Sequence, residues 1–338
     1  MPLGWGIIGC GDITEKRAAP AILAESGSEL IAFQSRTPGR AAAFAERFGA
    51  TRGYHQRSDL LADTAVDLVY VATEHHRHCE DTVAAAEAGK HVLVEKPMAL
   101  DLESCRRMQA ACRANGVWLA VAYYRRFYPK AAQMKKWLDA GAIGEPVTAS
   151  IHLSSRLNPG RRRPDNWRLD ASRSGGGSLA DAGIHRIDLI CHLLGRADRV
   201  AAFVECQEMP IEAPDAETLL IRMRNGCHVV SRHGFRTRSE DEFTIVGTEG
   251  TLIATPMDGP GLRLIRDGEA ETLSLPRAEN VHAPLIADFA AGVRSGRGPT
   301  YDGEAGALAN EILEAAYESA RTGRVIAVTE ALIGDAES

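Results

Sequence analysis

The segment WGIIGCGDIT, residues 5–14, decides how the first part of this chain folds. Trp5–Ile8 is short and apolar, which suits a strand buried on both faces, and the run from Ile13 to Glu25 suits a helix with Pro20 as a kink. Between them stands Gly9-Cys10-Gly11. Glycines there let the backbone turn tightly and lie close to a bound group, while the helix N-terminus behind them offers N–H donors and positive dipole to a pyrophosphate. A glycine-rich turn that holds no ligand shows the same local pattern, so the surroundings have to decide.

Working outward, the alternation repeats. Strands at Leu30–Gln34, Leu68–Ala72, His91–Val94 and Val117–Ala122 take turns with helices at Pro38–Phe48, His78–Ala88 and Leu102–Asn115. Gly49, Gly89 and Gly116 follow three of the helices, where a left-handed cap residue belongs. This is the pattern of a doubly wound parallel sheet with helices on both faces. After Pro129 one helix runs to about Ala140, and then the period falls to two in VTASIHL, RVAAFVECQ, AETLLIRMR and GCHVVSRHGF. Asn225-Gly226 and Asp267-Gly268 are the dipeptides of tight hairpins. The expectation is an α/β first domain over residues 1–123 and a second, α+β domain over 124–338. The second is built on an open, mainly antiparallel sheet, with helices at Ser178–Leu194, Pro284–Arg294 and Glu304–Thr322.

The 338 residues, 45% hydrophobic and 25% charged, suffice for two cores. A net charge of -6 argues against nucleic acid as a partner. No window approaches the roughly 18 apolar residues of a membrane span, and the N-terminus lacks a signal pattern, so a cytoplasmic protein without a membrane partner is expected. Seven cysteines without a C-x-x-C pair signal neither a disulfide framework nor a zinc site. Arg161, Arg162 and Arg163 read as a solvated loop, or as a feature favouring an anionic substrate.

Three strand ends carry chemistry. The second runs into Ser35-Arg36-Thr37, where a carboxylate would select NAD by accepting from the ribose 2′-hydroxyl; a cation and two hydroxyls instead suit the 2′-phosphate of NADP. NADP(H) is the expected cofactor, with NAD(H) open if Arg36 is only a solvated turn residue. The third strand ends in Thr73-Glu74-His75-His76-Arg77-His78, whose spacing suits the lining of a nicotinamide crevice better than a metal site, so no metal is expected. The fourth ends in Glu95-Lys96-Pro97, and a lysine at the carboxyl edge of a parallel sheet can polarise a substrate oxygen. In the second domain Ser174-Gly175-Gly176-Gly177 precedes a helix carrying Asp181, His185, Asp188 and His192 on one face. That stripe either faces a wet crevice, with His185 exchanging a proton and Asp181 orienting it, or is an internally paired network.

Taken together, GxGxI, VAT followed by histidine, AGKHVLVEKP, the YxRRFxP segment at Tyr123–Pro129 and GGGSLADAGIHRID resemble the glucose-fructose oxidoreductase and inositol dehydrogenase (Gfo/Idh/MocA) family over nearly the whole chain. The resemblance implies a Rossmann domain followed by an open-sheet domain used for homodimer or homotetramer contacts. It further implies NAD(P)-dependent hydride transfer on sugars, keto-sugars or polyols. Lys96, Asp181 and His185 would be its catalytic set. Cofactor contacts would come from Gly9, Gly11, Asp12, Ile13, Ser35, Arg36, Thr37, Thr73, His75, His78, Glu95, Lys96, Pro97 and Arg125. Tyr124, Trp167, Arg168 and His185 would meet substrate. Within the family, the NADP-dependent branch with 1,5-anhydrofructose reductase and dihydrodiol dehydrogenase is the nearest likeness. An NAD-dependent inositol or sugar dehydrogenase, and a catalytically silent dinucleotide-binding regulator, remain as alternatives.

Overall fold

The structure, a computed structural model, describes residues 2–156, 166–207 and 213–330. The chain forms two compact units, residues 1–124 with 278–307, and residues 125–277 with 308–330. The arginines at 161–163 lie outside the described residues.

Among the described residues of the first unit six parallel strands, β1 (Leu3–Ile8), β2 (Ser28–Gln34), β3 (Arg52–Tyr54), β4 (Leu68–Val71), β5 (His91–Val94) and β6 (Leu119–Val121), take the order β3-β2-β1-β4-β5-β6. The order reverses between β1 and β4, and the crevice beyond such a reversal is where open α/β sheets bind ligands. Trp5, Ile7, Phe33, Tyr70 and Leu93 are fully buried, as strands covered on both faces require. β3 and the helix Arg57–Ala62 are additions to the sequence reading; RGY is too short and too polar to signal a strand. The expected helix from Ile13 to Glu25 is a wide π turn, Thr14–Ala18, followed by an α-helix, Ala19–Ala24. Pro20 sits in the first turn of the latter, where its missing N–H matters least. The helix Ala283–Ser295 returns to this unit and brings Phe289 against Trp5, ring centroids 5.8 Å apart.

Among the described residues of the second unit nine strands form one sheet. They are β7 (Pro146–Arg156), β8 (Ala197–Glu205), β9 (Ala216–Met223), β10 (His228–Gly234), β11 (Arg236–Gly247), β12 (Thr251–Ile253), β13 (Gly261–Arg266), β14 (Glu269–Ser274) and β15 (Ile326–Ala327). The order is β14-β13-β12-β11-β7-β10-β9-β8-β15, antiparallel throughout except for β7 beside β10. Both expected hairpins form. Asp267 and Gly268 carry φ of 52° and 80°, two consecutive left-handed residues that match the twist of the flanking strands. One face packs under the helical segment Leu179–Leu194, again a π turn (Leu179–Gly183) followed by an α-helix (Ile184–Leu194). The other exposes Phe203 and Leu220. Among the described residues no helix is long and apolar enough to cross a membrane.

Candidate active site

The glycine turn of the first unit is built as a ligand cradle. Gly9 has φ of +104°, and a Cβ there would stand 2.6 Å from the Ala72 carbonyl oxygen, so only glycine fits. A Cβ on Gly11 would meet no protein atom within 4 Å; the fold leaves that space open, as a closely approaching pyrophosphate needs. Thr14, where a third small residue would be usual, is fully buried, and its hydroxyl donates to the Gly9 carbonyl at 2.6 Å. It ties the first helical turn to the loop. Asp12 and Ile13 complete the junction, with the Glu15 N–H returning to the Gly11 carbonyl at 3.0 Å.

At the end of β2 the Ser35 hydroxyl accepts from the Thr37 N–H at 3.2 Å, and Arg36 is exposed. A cavity of about 80 Å³ lies beside them, lined by Ser35, Thr37, Gly39, Tyr54 and His55 among others. Two features here escaped the sequence reading. Tyr54 and His55 come from β3 and its end, and Arg40 is the first residue of the helix Arg40–Phe48. A cation at a helix N-terminus opposes the dipole unless an anion sits there, and that misplacement was the legible signal. Burial pushes the Cys10 thiol up to about 12, and the Arg40 guanidinium opposes that rise, which puts its charge within reach of the glycine turn.

Beyond β4 the histidines do not gather round a metal, and among the described residues no His, Cys, Asp and Glu group could hold one. His78 has no exposed surface. Its Nδ1 lies 2.8 Å from the Pro97 carbonyl and its Nε2 3.2 Å from the Thr73 carbonyl, so it fastens the loop after β4 to the loop after β5. Burial holds its basicity below that of an ordinary histidine. His75 is buried beside it, ring centroids 5.5 Å apart. The Thr73 hydroxyl donates to the buried Asp81, which also binds Arg57 at 2.5 Å.

Lys96 follows β5 and rests on a buried carboxylate. Glu95 accepts from the Tyr70 hydroxyl at 2.6 Å and from the Lys96 N–H at 3.2 Å, and the His282 Nε2 lies 3.4 Å away. Burial raises the carboxyl, but the His282 contact, the Lys96 charge and the Tyr70 hydrogen bond outweigh it and hold Glu95 down at about 2. The carboxylate therefore stays ionised behind the lysine, and Pro97 follows across a cis bond. Tyr124 stacks against the His282 ring at 4.7 Å. Neither Tyr70 nor His282 was singled out from sequence: one looks like strand core, and the other arrives from 187 residues away.

In the second unit the polar stripe divides. Asp181 lies 3.8 Å from the Arg168 Nε, and Arg168 stacks over the Trp167 ring at 4.4 Å. His185, one turn on, is 5% exposed. Asp188 belongs to the paired alternative: fully buried, it takes three hydrogen bonds from Arg126, at 2.9, 3.1 and 2.5 Å. Burial with nearby Arg126 and Lys135 holds His192 down to about 4, so it stays neutral at working pH. Arg125 binds Asp258 through two nitrogens, at 3.0 and 2.9 Å, and its fork is fixed within its own unit.

Residues 3–123 match the Gfo/Idh/MocA oxidoreductase family with an NAD-binding Rossmann fold, and residues 131–253 match the Gfo/Idh/MocA C-terminal domain. The 1,5-anhydro-D-fructose reductase of Ensifer adhaerens is 30% identical, covering 97% of this chain and 99% of the relative. The NADP(+) D-xylose 1-dehydrogenase 2 of Haloferax volcanii is 29% identical over 95% and 98%. Among solved structures, the aldose-aldose oxidoreductase of Caulobacter crescentus, crystallised with glycerol, superposes with a TM-score of 0.88 at 27% identity over 97% and 100%. With this two-domain match joined to a glycine turn that keeps room for a dinucleotide, the chain belongs to the Gfo/Idh/MocA family and is an NAD(P)-dependent oxidoreductase.

Proposed function

We propose that this protein is an NADP(H)-dependent oxidoreductase acting on a sugar, keto-sugar or related polyol. The single observation that carries the cofactor preference is the end of β2: Ser35, Arg36 and Thr37 with no carboxylate among them, and Arg40 at the start of the next helix. A 2′-phosphate would find two guanidinium groups and two hydroxyls there, whereas the repulsion that selects NAD is missing. The turn at Gly9–Ile13 would take the pyrophosphate on its backbone N–H groups. Thr73, His75, Glu95, Lys96, Pro97 and Arg125 would border the nicotinamide end, with His78 shaping the loops from within.

A nicotinamide held there would supply or accept the hydride. Lys96 holds and polarises the reacting oxygen, with the Glu95 carboxylate behind it. His185 delivers the proton to the alkoxide oxygen during carbonyl reduction and removes it during alcohol oxidation, with Asp181 orienting the imidazole. Tyr124, Trp167 and Arg168 bind substrate hydroxyls. The exposed apolar face bearing Phe203 and Leu220 supports homo-oligomer contacts through the second sheet. The test is nicotinamide absorbance with NADPH or NADP⁺ against keto-sugars, aldoses and cyclitols, for the wild type and His185→Asn. Turnover should fall about 10²–10⁴-fold in the variant while NADPH binding holds. Undiminished turnover would remove His185 from the mechanism.

A further inference from the structure

The segment with Asp181 and His185 does not simply lie on the sheet; two buried polar side chains support the two ends of its π turn. Glu217 on β9 and His233 on β10 are directly opposed across the strands, 2% and 4% exposed. Opposed residues of an antiparallel pair project from the same face. Glu217 takes the entry of the turn: its carboxyl meets the Ser178 hydroxyl and accepts from the Leu179 N–H at 3.1 Å. His233 takes the exit, where a Cβ on Gly183 would stand 2.6 Å from its Nδ1. Its Nε2 meets the Ser231 hydroxyl at 2.8 Å, and Nδ1 has no partner among the described residues. The preceding glycines are equally confined, since a Cβ on Gly176 would meet the Tyr317 hydroxyl at 1.8 Å and one on Gly177 the Pro214 carbonyl at 1.3 Å.

We propose that Glu217 is a positioning residue whose protonation state sets how firmly the π turn, and with it Asp181 and His185, is seated on the sheet. This rests on the catalytic assignment of those two residues. The groups facing the carboxyl are Asp215 just before β9, His233 across the ladder, Tyr317 from the helix Gly303–Thr322, and Ser178 at the helix entry; Val204, opposite on β8, brings no charge. Burial, with the Asp215 charge adding to it, raises Glu217 to about 8 against the opposing Ser178 and Leu179 hydrogen bonds. Burial holds His233 down to about 3, so it gives no compensating cation. At neutral pH the carboxyl carries a proton and the seat is closed. An opened turn exposes the carboxyl to water, where it ionises at its ordinary value of 4.5, so opening becomes steadily easier as the pH rises from there, and the effect is complete above about 8, where the closed form is ionised as well.

Hydrogen exchange of the full-length protein reads this without any substrate. Exchange rates of residues 178–185, corrected for intrinsic rates, are compared in wild type, Glu217→Gln and Ser178→Ala from pH 6 to 9.5, with the helix Pro129–Asp139 as internal reference. In wild type the protection of 178–185 should fall relative to Glu217→Gln by about tenfold per pH unit up to about 8, then level off. In Ser178→Ala, which lacks a hydrogen bond favouring the ionised form, the levelling should move to higher pH. A wild-type to Glu217→Gln ratio that stays constant across this range overturns the proposal, as does a change shared equally by the reference helix. NADPH oxidation with 1,5-anhydro-D-fructose as probe gives the second arm, where the kcat of the wild type should fall relative to that of Glu217→Gln as the pH rises towards about 8 and hold a constant ratio to it above that. Exchange that responds as expected beside a kcat profile identical in both proteins would leave the clamp standing and sink the catalytic assignment of Asp181 and His185.

Discussion

Replacing Asp188 by asparagine preserves side-chain shape and removes one charge from a pair that has almost no water around it. The Arg126 and Asp188 side chains are 4% and 0% exposed and share three hydrogen bonds. Burial keeps the Asp188 carboxyl above the ordinary range even though Arg126 opposes the shift, so neither ion is well solvated. Without the carboxylate, Arg126 becomes a buried cation short of its counter-charge, a loss worth about 3–5 kcal/mol. For a unit of this size each kcal/mol lowers Tm by about 2–4 °C, which places the variant about 6–20 °C below wild type. The double replacement Arg126→Met with Asp188→Leu removes both charges and should recover most of that loss, because what costs stability is the orphaned ion rather than the missing bridge. Calorimetry with urea titration measures both variants. Asp188→Asn within about 1 kcal/mol of wild type would refute the claim that Arg126 depends on this carboxylate.

Arg36→Ala and Arg40→Ala should each weaken NADPH binding about tenfold or more relative to NADH, as loss of a charge-assisted contact requires, and fluorescence titration with both nucleotides checks this; equal losses for the two would place both arginines away from the 2′-phosphate. Glu95→Gln should flatten the acid limb of stability. A folded-state value of about 2 against 4.5 means that Glu95 contributes fully above about 4.5 and loses that contribution as the pH falls from there towards 2, a term of about 3 kcal/mol. Urea midpoints of wild type and variant that run parallel from pH 5 to 2.5 would contradict this.

The sequence by itself determined the class of each half, because the governing signals are local. Period-two alternation fixed which face of β9 and β10 is buried, glycine after a helix marked its end, and Asp267-Gly268 dictated its own turn. The glycine turn, the Lys96 segment and the Asp181–His185 pair were legible for the same reason: each is a short run whose chemistry matches its place at the end of a strand or on one face of a helix. Tertiary structure decided what sequence neighbours do not encode. Asp188 and His185 share a helix and a stripe, yet only the arrival of Arg126, 62 residues away, separates a structural ion from a candidate catalytic face. Tyr70 and His282 read as ordinary core and loop residues until the fold turned both towards Glu95. Glu217 and His233 likewise look like residues of two unrelated strands, and it is the β9–β10 register that makes them one support. A polar side chain's role depends on its desolvation and its partners, and both are properties of the packed interior rather than of the chain.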